Sequence, residues 1–219
     1  MCAAKPVGGA SDLRTFGRVG TVADLVAERE HVLFTFDGPV CSVFPYGSDV
    51  ADRLRMYLGR ELPPAVATTT DPFRVLTWAR AHSDTAGRLI ELELRKHELA
   101  AVRSAVETPG ALDVVRTLAL WGHTVTVVSN NSADAVTVYL AGHEVGRYVY
   151  EVSARHSVEL TPLMPHPYLL MQALGLLDTT TDRTCLIAGS PADLRAAAAI
   201  GMPAVEWSAA GVWLAAAVL

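Results

Sequence analysis

The chain has 219 residues, of which 51% are hydrophobic and 19% are charged, a composition that can bury a sizeable core and argues against global disorder. The net charge is -5 and no basic stretch stands out, so nucleic acid and anionic membranes are poor candidate partners. The length suits one α/β core with an inserted subdomain, or two small domains.

The three cysteines, Cys2, Cys41 and Cys185, are far apart and odd in number. This spacing argues against a disulfide framework and a zinc site, and it favours a reducing, cytoplasmic location. The N-terminal residues lack the apolar core of a secretory signal. The apolar tail AAGVWLAAAVL is too short to span a bilayer and is predicted to be a packed helix.

The first predicted elements lead into a buried strand. Residues 1–20 are rich in glycine, alanine and polar residues, which predicts a flexible arm. TVADLVAERE predicts a short helix with Thr21 as its N-cap. HVLFTF, residues 31–36, combines β-branched and aromatic residues and predicts a buried strand, which DGPV then breaks with glycine and proline.

The stretch from Ser48 to about Val106 has apolar residues at spacings of three and four, which predicts helices. The predicted helices are SDVADRLRMYLGREL, DPFRVLTWARAHS and TAGRLIELELRKHELAAVRSAV. Asp71-Pro72 is typical of a helix start. No strand interrupts this stretch, so it is predicted to be a small helical bundle inserted into the main domain.

From TPG at residues 108–110 onwards, helices and strands alternate. Helices are predicted in ALDVVRTLALWG, SADAVTVYLAGH, PYLLMQALGLL and ADLRAAAAIG, and the predicted strands are HTVTVVSNN, RYVYEVSA, TCLIAG and PAVEW. Such alternation is typical of an α/β fold in which helices cover both faces of a parallel sheet. Ligands in such folds bind beyond the carboxyl ends of the strands. The candidate site residues therefore lie at Thr35 to Gly38, Ser129 to Asn131, and Gly189-Ser190.

Four segments resemble, in chain order, the four motifs of the haloacid dehalogenase (HAD) superfamily of phosphatases with a helical cap. LFTFDGPVCSVF resembles the first motif, DxDG, and VTVVSNNS resembles the second, a strand ending in Ser or Thr. LMPHPYLLMQAL resembles the third, Lys-Pro-x-Pro leading a helix, and LIAGSPADLRAAAAIG resembles the fourth, Gly-Asp-Ser with a further Asp. The resemblance implies a Rossmann-type, HAD-like core in residues 21–46 and 107–219 and a helical cap in residues 47–106.

Several functional residues of the family are replaced in this chain. In the family, the first Asp of DxDG attacks phosphorus and binds magnesium, the motif-three Lys neutralises phosphate, and a motif-four Asp completes the metal site. The resemblance places Thr35, Met164 and Gly189 at these positions. Asp37 matches the family's general acid and base, Ser129 matches its phosphate-binding hydroxyl, and Asp193 matches its later motif-four Asp.

The three replacements are linked by charge. Without the metal and its carboxylates, a lone buried Lys would cost about 3 to 5 kcal/mol, whereas Met fills a similar volume without that penalty. Two lost carboxylates also remove most of the expected magnesium affinity. We therefore expect no metal and no hydrolysis of generic phosphate monoesters. The triple change Thr35→Asp, Met164→Lys, Gly189→Asp is the smallest set expected to offer a recovery of magnesium-dependent hydrolysis.

Each remaining site residue has two interpretations. Asp37 is either a turn-forming residue or an acid/base whose pKa is raised by burial. Ser129 and Asn130 either bind a substrate oxygen or cap the following helix, and capping is slightly favoured. His166 is either a solvated loop residue or a replacement for the missing positive group. The remaining ligand-binding candidates are Ser190, which follows Gly189, and the cap residue Trp78, which is proposed for the pocket wall.

Three functional classes are compatible with these residues. The favoured one is a metal-free enzyme, with no cofactor, that acts on a small molecule between core and cap in specialised biosynthetic metabolism, with Asp37 as acid/base and Thr35 beside it. The alternatives are a non-catalytic pseudo-phosphatase with a binding or regulatory role, and a weak phosphatase. A homodimer is left open. The Ala-, Val- and Arg-rich composition is typical of a GC-rich bacterial genome.

Overall fold

A computed structural model describes residues 22–44, 47–59, 61–156 and 161–207. The predicted arm, the N-cap Thr21 and the predicted C-terminal helix lie outside the described residues. Within the described ranges, no helix combines the length and the apolarity needed to cross a membrane.

Five parallel strands form the main sheet in the order β5-β4-β1-β6-β7. In chain order, the strands of the structure are β1 His31–Thr35, β2 Cys41–Ser42, β3 Val106–Glu107, β4 Thr124–Ser132, β5 Glu151–Arg155, β6 Thr184–Ala188 and β7 Ala204–Glu206. The sheet is parallel because helical segments cross over between its sequential strands. The predicted α/β class and parallel sheet are therefore confirmed, and strand β1 lies at the centre with its carboxyl end at Thr35.

The helices, in chain order, are α1 Val22–Ala27, α2 Gly47–Arg55, α3 Pro64–Ala67, α4 Pro72–His82, α5 Asp84–Ala101, α6 Ala111–Leu120, α7 Ala133–Gly142, α8 Tyr168–Leu176 and α9 Pro191–Ala198. Alternate residues of β1 point to opposite faces of the sheet. Val32 and Phe34 pack into a cluster that includes residues of α6 and α7. Leu33 packs with residues of α8 and α9. The sheet therefore has a hydrophobic core on each face.

Helices α2 to α5 form a separate small bundle between β2 and β3. Leu54, Leu76, Ile90 and Leu94 are fully buried in its core cluster. As predicted, Asp71 caps α4, because its Oδ1 accepts the backbone N–H of Phe73 at 2.8 Å. No described residue between 50 and 105 belongs to a strand of the main sheet.

Two local predictions were wrong, and one pair of strands was missed. The first cap helix ends at Arg55 because Gly59 takes a left-handed backbone and prolines follow at residues 63–64, where the short helix α3 begins. The strand predicted in RYVYEVSA begins only at Glu151, since a 3-10 helix occupies Glu144–Tyr148 and is anchored by the buried Val145. The antiparallel pair β2–β3, where the chain leaves and re-enters the core, was not predicted.

Candidate functional site

A cavity of about 420 Å³ lies where the carboxyl ends of β1, β4 and β6 face the cap. Eight of its lining residues are predicted site residues: Thr35, Asp37, Ser129, Asn130, Met164, Gly189, Ser190 and Asp193. The loops that follow three adjacent strands bring these residues together, as expected at the carboxyl edge of a parallel sheet. A larger cavity of about 520 Å³ lies at the far end of α7, around His143 and Arg147, and shares no lining residue with the first.

His166 is the predicted site residue that the structure leaves outside this cavity. Its side chain is exposed, and its Nδ1 accepts the backbone N–H of Tyr168 at 3.2 Å. The Pro-x-Pro turn thus uses His166 to start helix α8 rather than to supply a positive group to the pocket. The cap residue Trp78 also lies elsewhere, packed against the cap core and stacked on His82 at 4.6 Å between ring centroids.

Thr35, Gly189 and Asp193 form one hydrogen-bonded group at the base of the cavity. The backbone N–H of Gly189 donates to Thr35 Oγ1 at 2.8 Å and to Asp193 Oδ2 at 3.2 Å. Ser190 caps helix α9 through its Oγ, which accepts the N–H of Asp193. Burial raises the pKa of Asp193, and the bonds from Ser190, Gly189 and Thr35 offset part of this rise. The hydroxyl and the carboxylate are therefore already engaged within the protein.

Gly189 packs directly against the turn that follows β1. A Cβ atom added to Gly189 would overlap the backbone carbonyl oxygen of Asp37 and lie 2.7 Å from Cδ of Pro39. The contact is reciprocal, because a Cβ on Gly38 would lie 2.9 Å from Cα of Gly189. The backbone of this turn thus occupies the space that any side chain at position 189 would need. We therefore expect Gly189→Asp to require a shift of this turn before its carboxylate could reach a metal.

Asp37 lies in the turn that follows β1 and is largely shielded from solvent. Its Oδ1 accepts the backbone N–H of Val43 at 3.1 Å. Burial raises the pKa of Asp37, while the bond from Val43 and the side chain of Asn131 lower it in part. Asp37 therefore stabilises the turn through its bond with Val43, and burial makes its proton harder to remove.

Ser129 and Asn130 do not cap the following helix, contrary to the favoured interpretation. Strand β4 continues to Ser132, and Ser132 is the residue that precedes α7. Ser129 Oγ accepts the backbone N–H of Asn131 at 3.0 Å and its side-chain Nδ2 at 3.2 Å. The side chain of Asn130 instead binds both backbone groups of Met164, accepting its N–H at 2.8 Å and donating to its carbonyl at 3.2 Å.

The residues around the cavity do not fit a magnesium ion. Magnesium requires hard oxygen ligands in near-octahedral geometry, supplied by one or two carboxylates that are free to coordinate it together with water. Here Gly189 supplies no carboxylate and leaves no room for one. The oxygens of Thr35 and Asp193 already accept the N–H of Gly189. Within the described ranges, no three His, Cys, Asp or Glu residues are grouped so that they could hold a metal.

Sequence reasoning singled out Asn131 at the strand end after Ser129, and this residue lines the cavity. It did not single out Ser42, Phe44 or Phe73. Ser42 and Phe44 follow the turn after β1, and Phe73 belongs to the cap helix α4. No signal existed for the two phenylalanines, since apolar residues are expected to pack into a core rather than to line a pocket.

A buried ionic cluster joins the cap to the core behind the cavity wall. Arg155 at the end of β5 is fully buried and pairs with Glu91 and Glu98 of the cap helix α5. Arg80 of α4 pairs with the other oxygen of Glu91 at 2.7 Å. The two arginines and two glutamates balance in charge, as buried ions must.

This cluster contacts the pocket through backbone groups. Arg155 Nε donates to the carbonyl of Asn130 at 2.8 Å, and Asn130 in turn holds Met164. Glu98 accepts the backbone N–H of Ser132 at 3.0 Å. The cap helix is therefore bound to the loop that forms one wall of the cavity.

The cluster had a recognisable signal in the sequence. Glu91 and Glu98 are separated by two helical turns and lie on the face that also carries Ile90 and Leu94, all four of which are buried. Two glutamates on an apolar helix face require buried partners. The sequence indicates this need but not the partner, because Arg155 lies on a strand far along the chain.

The fold was compared with those of known proteins. No family model matches the chain, and no curated protein matches its sequence. Among solved structures, CbbY from Rhodobacter sphaeroides in complex with phosphate is similar, with a TM-score of 0.62 and 18% identity over 81% of this chain and 85% of that chain. A putative phosphoglycolate phosphatase from Lactobacillus plantarum has a TM-score of 0.61 and 14% identity over 84% of this chain and 88% of that chain.

A HAD-superfamily hydrolase of subfamily IA from Geobacter sulfurreducens is also similar, with a TM-score of 0.54 and 18% identity over 82% of this chain and 87% of that chain. At such low identities the likeness concerns the fold. The chain has the fold of HAD-superfamily phosphatases and hydrolases, as its four motif-like segments imply.

Proposed function

We propose that this chain is a metal-free protein of the HAD fold that acts on a small molecule between core and cap, with Asp37 as acid and base. The observation that carries the proposal is the packing of Gly189 against the Asp37 carbonyl, which leaves no space for a metal-binding side chain. A protein that kept phosphatase chemistry would need that space. The cavity nevertheless retains Asp37 and the hydroxyl of Ser129, which fits a ligand-handling role in specialised biosynthetic metabolism.

Proton transfer suits Asp37 better than nucleophilic attack does. Burial raises its pKa, which increases the fraction that carries a proton at physiological pH. An acid/base is most effective when its pKa lies near the working pH. Thr35, at the nucleophile position of the phosphatases, accepts the Gly189 N–H and lies next to Asp193. We assign Thr35 the role of fixing the loops that hold Asp37 in place.

The test is turnover of a small molecule by the purified protein without added metal. A metabolite mixture is incubated with the parent, Asp37→Asn and the control variant Asp113→Asn, which changes an exposed Asp on α6. We expect mass spectrometry to show a compound consumed by the parent and the control but not by Asp37→Asn. Equal consumption by all three, or consumption only when magnesium is added, would contradict the proposal.

A second candidate function is binding without chemistry, as a pseudo-phosphatase. The buried pairs between Arg155 and helix α5 favour it, because they fix the cap to the core, whereas turnover commonly requires a cap to open. A compound that copurifies with both the parent and Asp37→Asn, and that neither protein converts, would support this function.

A further inference from the structure

The lining of the cavity carries carboxyl groups and an unpaired amide oxygen. Asp37 and Asp193 are two carboxyl groups on its wall, and no Lys, Arg or His is found among the described lining residues. The carboxamide oxygen of Asn131, a residue that is 1% exposed, has no hydrogen-bond partner within the described part of the chain. A buried acceptor of this kind is costly unless a ligand supplies a donor.

Three backbone donors at or beside the cavity are already used inside the protein. The N–H of Gly189 is shared by Thr35 and Asp193, and the N–H of Asn131 goes to Ser129. The N–H of Val43 goes to Asp37 itself. An incoming phosphate would therefore meet two carboxyl groups and would have to break existing bonds to gain these backbone donors.

Two aromatic rings also line the cavity. Phe44 follows β2, and Phe73 belongs to the cap helix α4. Aromatic faces attract organic cations, and carboxylates bind ammonium groups through charge-assisted hydrogen bonds. Met164 adds an apolar, polarisable surface to the lining.

We infer that the cavity binds an organic ammonium ligand, whose N–H groups face Asp37 and Asn131 and whose apolar body packs on Phe44 and Phe73. This inference rests on the proposed function, because it takes the same cavity as the ligand site. It departs from the phosphate monoesters that the fold suggests, since the cavity now selects the opposite charge.

The test uses four probes that share one benzyl group: benzylammonium, benzyltrimethylammonium, benzyl alcohol and benzyl phosphate. Affinities are measured by NMR titration at neutral pH. We expect benzylammonium to bind about tenfold more tightly than benzyl alcohol, and more tightly than benzyltrimethylammonium, which has no N–H donors. Benzyl phosphate should bind most weakly. Stronger binding of the phosphate, or no binding of the ammonium probe, would overturn the inference.

Two variants test whether the probes bind in this cavity. Circular dichroism checks that each variant is folded. Asp37→Asn should lose the preference for ammonium over alcohol, whereas the exposed control Asp113→Asn should keep it. Met164→Lys introduces a positive charge at the cavity wall and should reverse the preference in favour of benzyl phosphate. An unchanged ammonium preference in both variants would contradict binding at this site.

The proposed function and this inference fail in different ways. If Asp37→Asn abolishes consumption of a neutral or anionic metabolite, the enzyme proposal stands and the ammonium class is wrong. If the ammonium probe binds as expected but no metabolite is consumed, the ligand class stands and the chemistry does not.

Discussion

Gly189 stands where the motif resemblance places a metal-binding Asp of HAD phosphatases. Its lack of a Cβ lets the Asp37–Pro39 turn approach β6 closely. The backbone N of Gly189 lies 2.8 Å from Thr35 Oγ1. A hydrogen bond thus joins the two residues that the resemblance aligns with the metal and nucleophile positions.

Gly189→Ala is predicted to destabilise the fold. Its methyl group would overlap the Asp37 carbonyl, and overpacking of this kind typically costs about 1 to 3 kcal/mol. Urea denaturation of the purified variant measures the change in the free energy of unfolding. Gly175→Ala on α8 is the matched control, since nothing lies within 4 Å of its added Cβ, and it should be neutral or stabilising. Equal changes in the free energy of unfolding at the two positions would show that the turn can move to accommodate the methyl group.

The stability of the protein should depend on pH through Asp37. Burial raises its folded-state pKa above the ordinary value of 3.8, so its stabilising contribution is present below the unfolded pKa and is lost as pH rises through the folded pKa. Asp37→Asn removes this loss while keeping an oxygen for the Val43 N–H. The variant should therefore gain stability relative to the parent as pH is raised from about 4 to about 8.

Denaturation curves of both proteins at several pH values test this sign. The control Asp113→Asn makes the same chemical change at an exposed position, where ion pairs contribute little, and its difference from the parent should stay small at every pH. A parent that becomes more stable than Asp37→Asn as the pH rises would show that Asp37 is held as a stabilised carboxylate.

At the scale of residues, the sequence predicted many of the residues that line the cavity but not the hydrogen bonds between them. Thr35, Asp37 and Ser129 follow or end buried strands, and parallel strands present their carboxyl ends along one edge. The bond between Asn130 and Met164 joins residues that are distant in sequence, and no local pattern encodes it. His166 was misplaced because a turn between two prolines has no periodicity from which its direction can be inferred.

At the scale of elements, helix α5 is the part that ties the cap to the core. Its buried face combines apolar residues that pack within the cap with Glu91 and Glu98, which reach Arg155 on β5. The bond from Arg155 to the carbonyl of Asn130 continues this connection to the pocket wall. Cap position and pocket shape are therefore coupled through one arginine.

Arg155→Met is predicted to be strongly destabilising. It would leave Glu98 buried without its cation and Glu91 with Arg80 alone, and breaking a buried pair in this way costs about 3 to 5 kcal/mol. The comparison is Arg116→Met, which breaks an exposed pair with Asp113 on α6 and should change the free energy of unfolding by less than about 1 kcal/mol. A loss of similar size in both variants, measured by urea denaturation, would mean that water reaches the Arg155 cluster.

The elements that sequence periodicity predicted best were the buried strands and the long amphipathic helices. Strand β6 is buried at each of its five positions, and α5 keeps one buried face over 18 residues, so both patterns are unambiguous. The short helix α3 and the two-residue strands β2 and β3 are too brief for a period to develop. The strands β2 and β3 lie where the chain leaves and re-enters the core, and α3 lies between two cap helices, so tertiary structure rather than local periodicity determines them.

At the scale of the whole molecule, a fold shared with HAD-superfamily structures encloses a cavity lined by two carboxyl groups. This cavity lies at the carboxyl ends of the parallel strands. Phosphoryl transfer depends on positive groups that neutralise phosphate, and the described cavity lining contains none. The fold therefore fixes where a ligand is bound, while the lining determines which ligand is accepted.

The protein is accordingly predicted not to hydrolyse p-nitrophenyl phosphate above background, with or without magnesium. The motif resemblance aligns Thr35, Met164 and Gly189 with the family's nucleophile, neutralising lysine and metal carboxylate. The double variant Thr35→Asp, Met164→Lys should also be inactive because it still lacks the third group. The triple variant that adds Gly189→Asp should be less stable than the double and equally inactive, since the Asp37 carbonyl blocks its new side chain. The release of nitrophenol is measured for the parent, the double variant and the triple variant. Thermal melting measures their relative stability. Magnesium-dependent turnover by the parent would identify an ordinary phosphatase with an unusual metal site, and turnover by the triple variant alone would show that the turn after β1 can move aside.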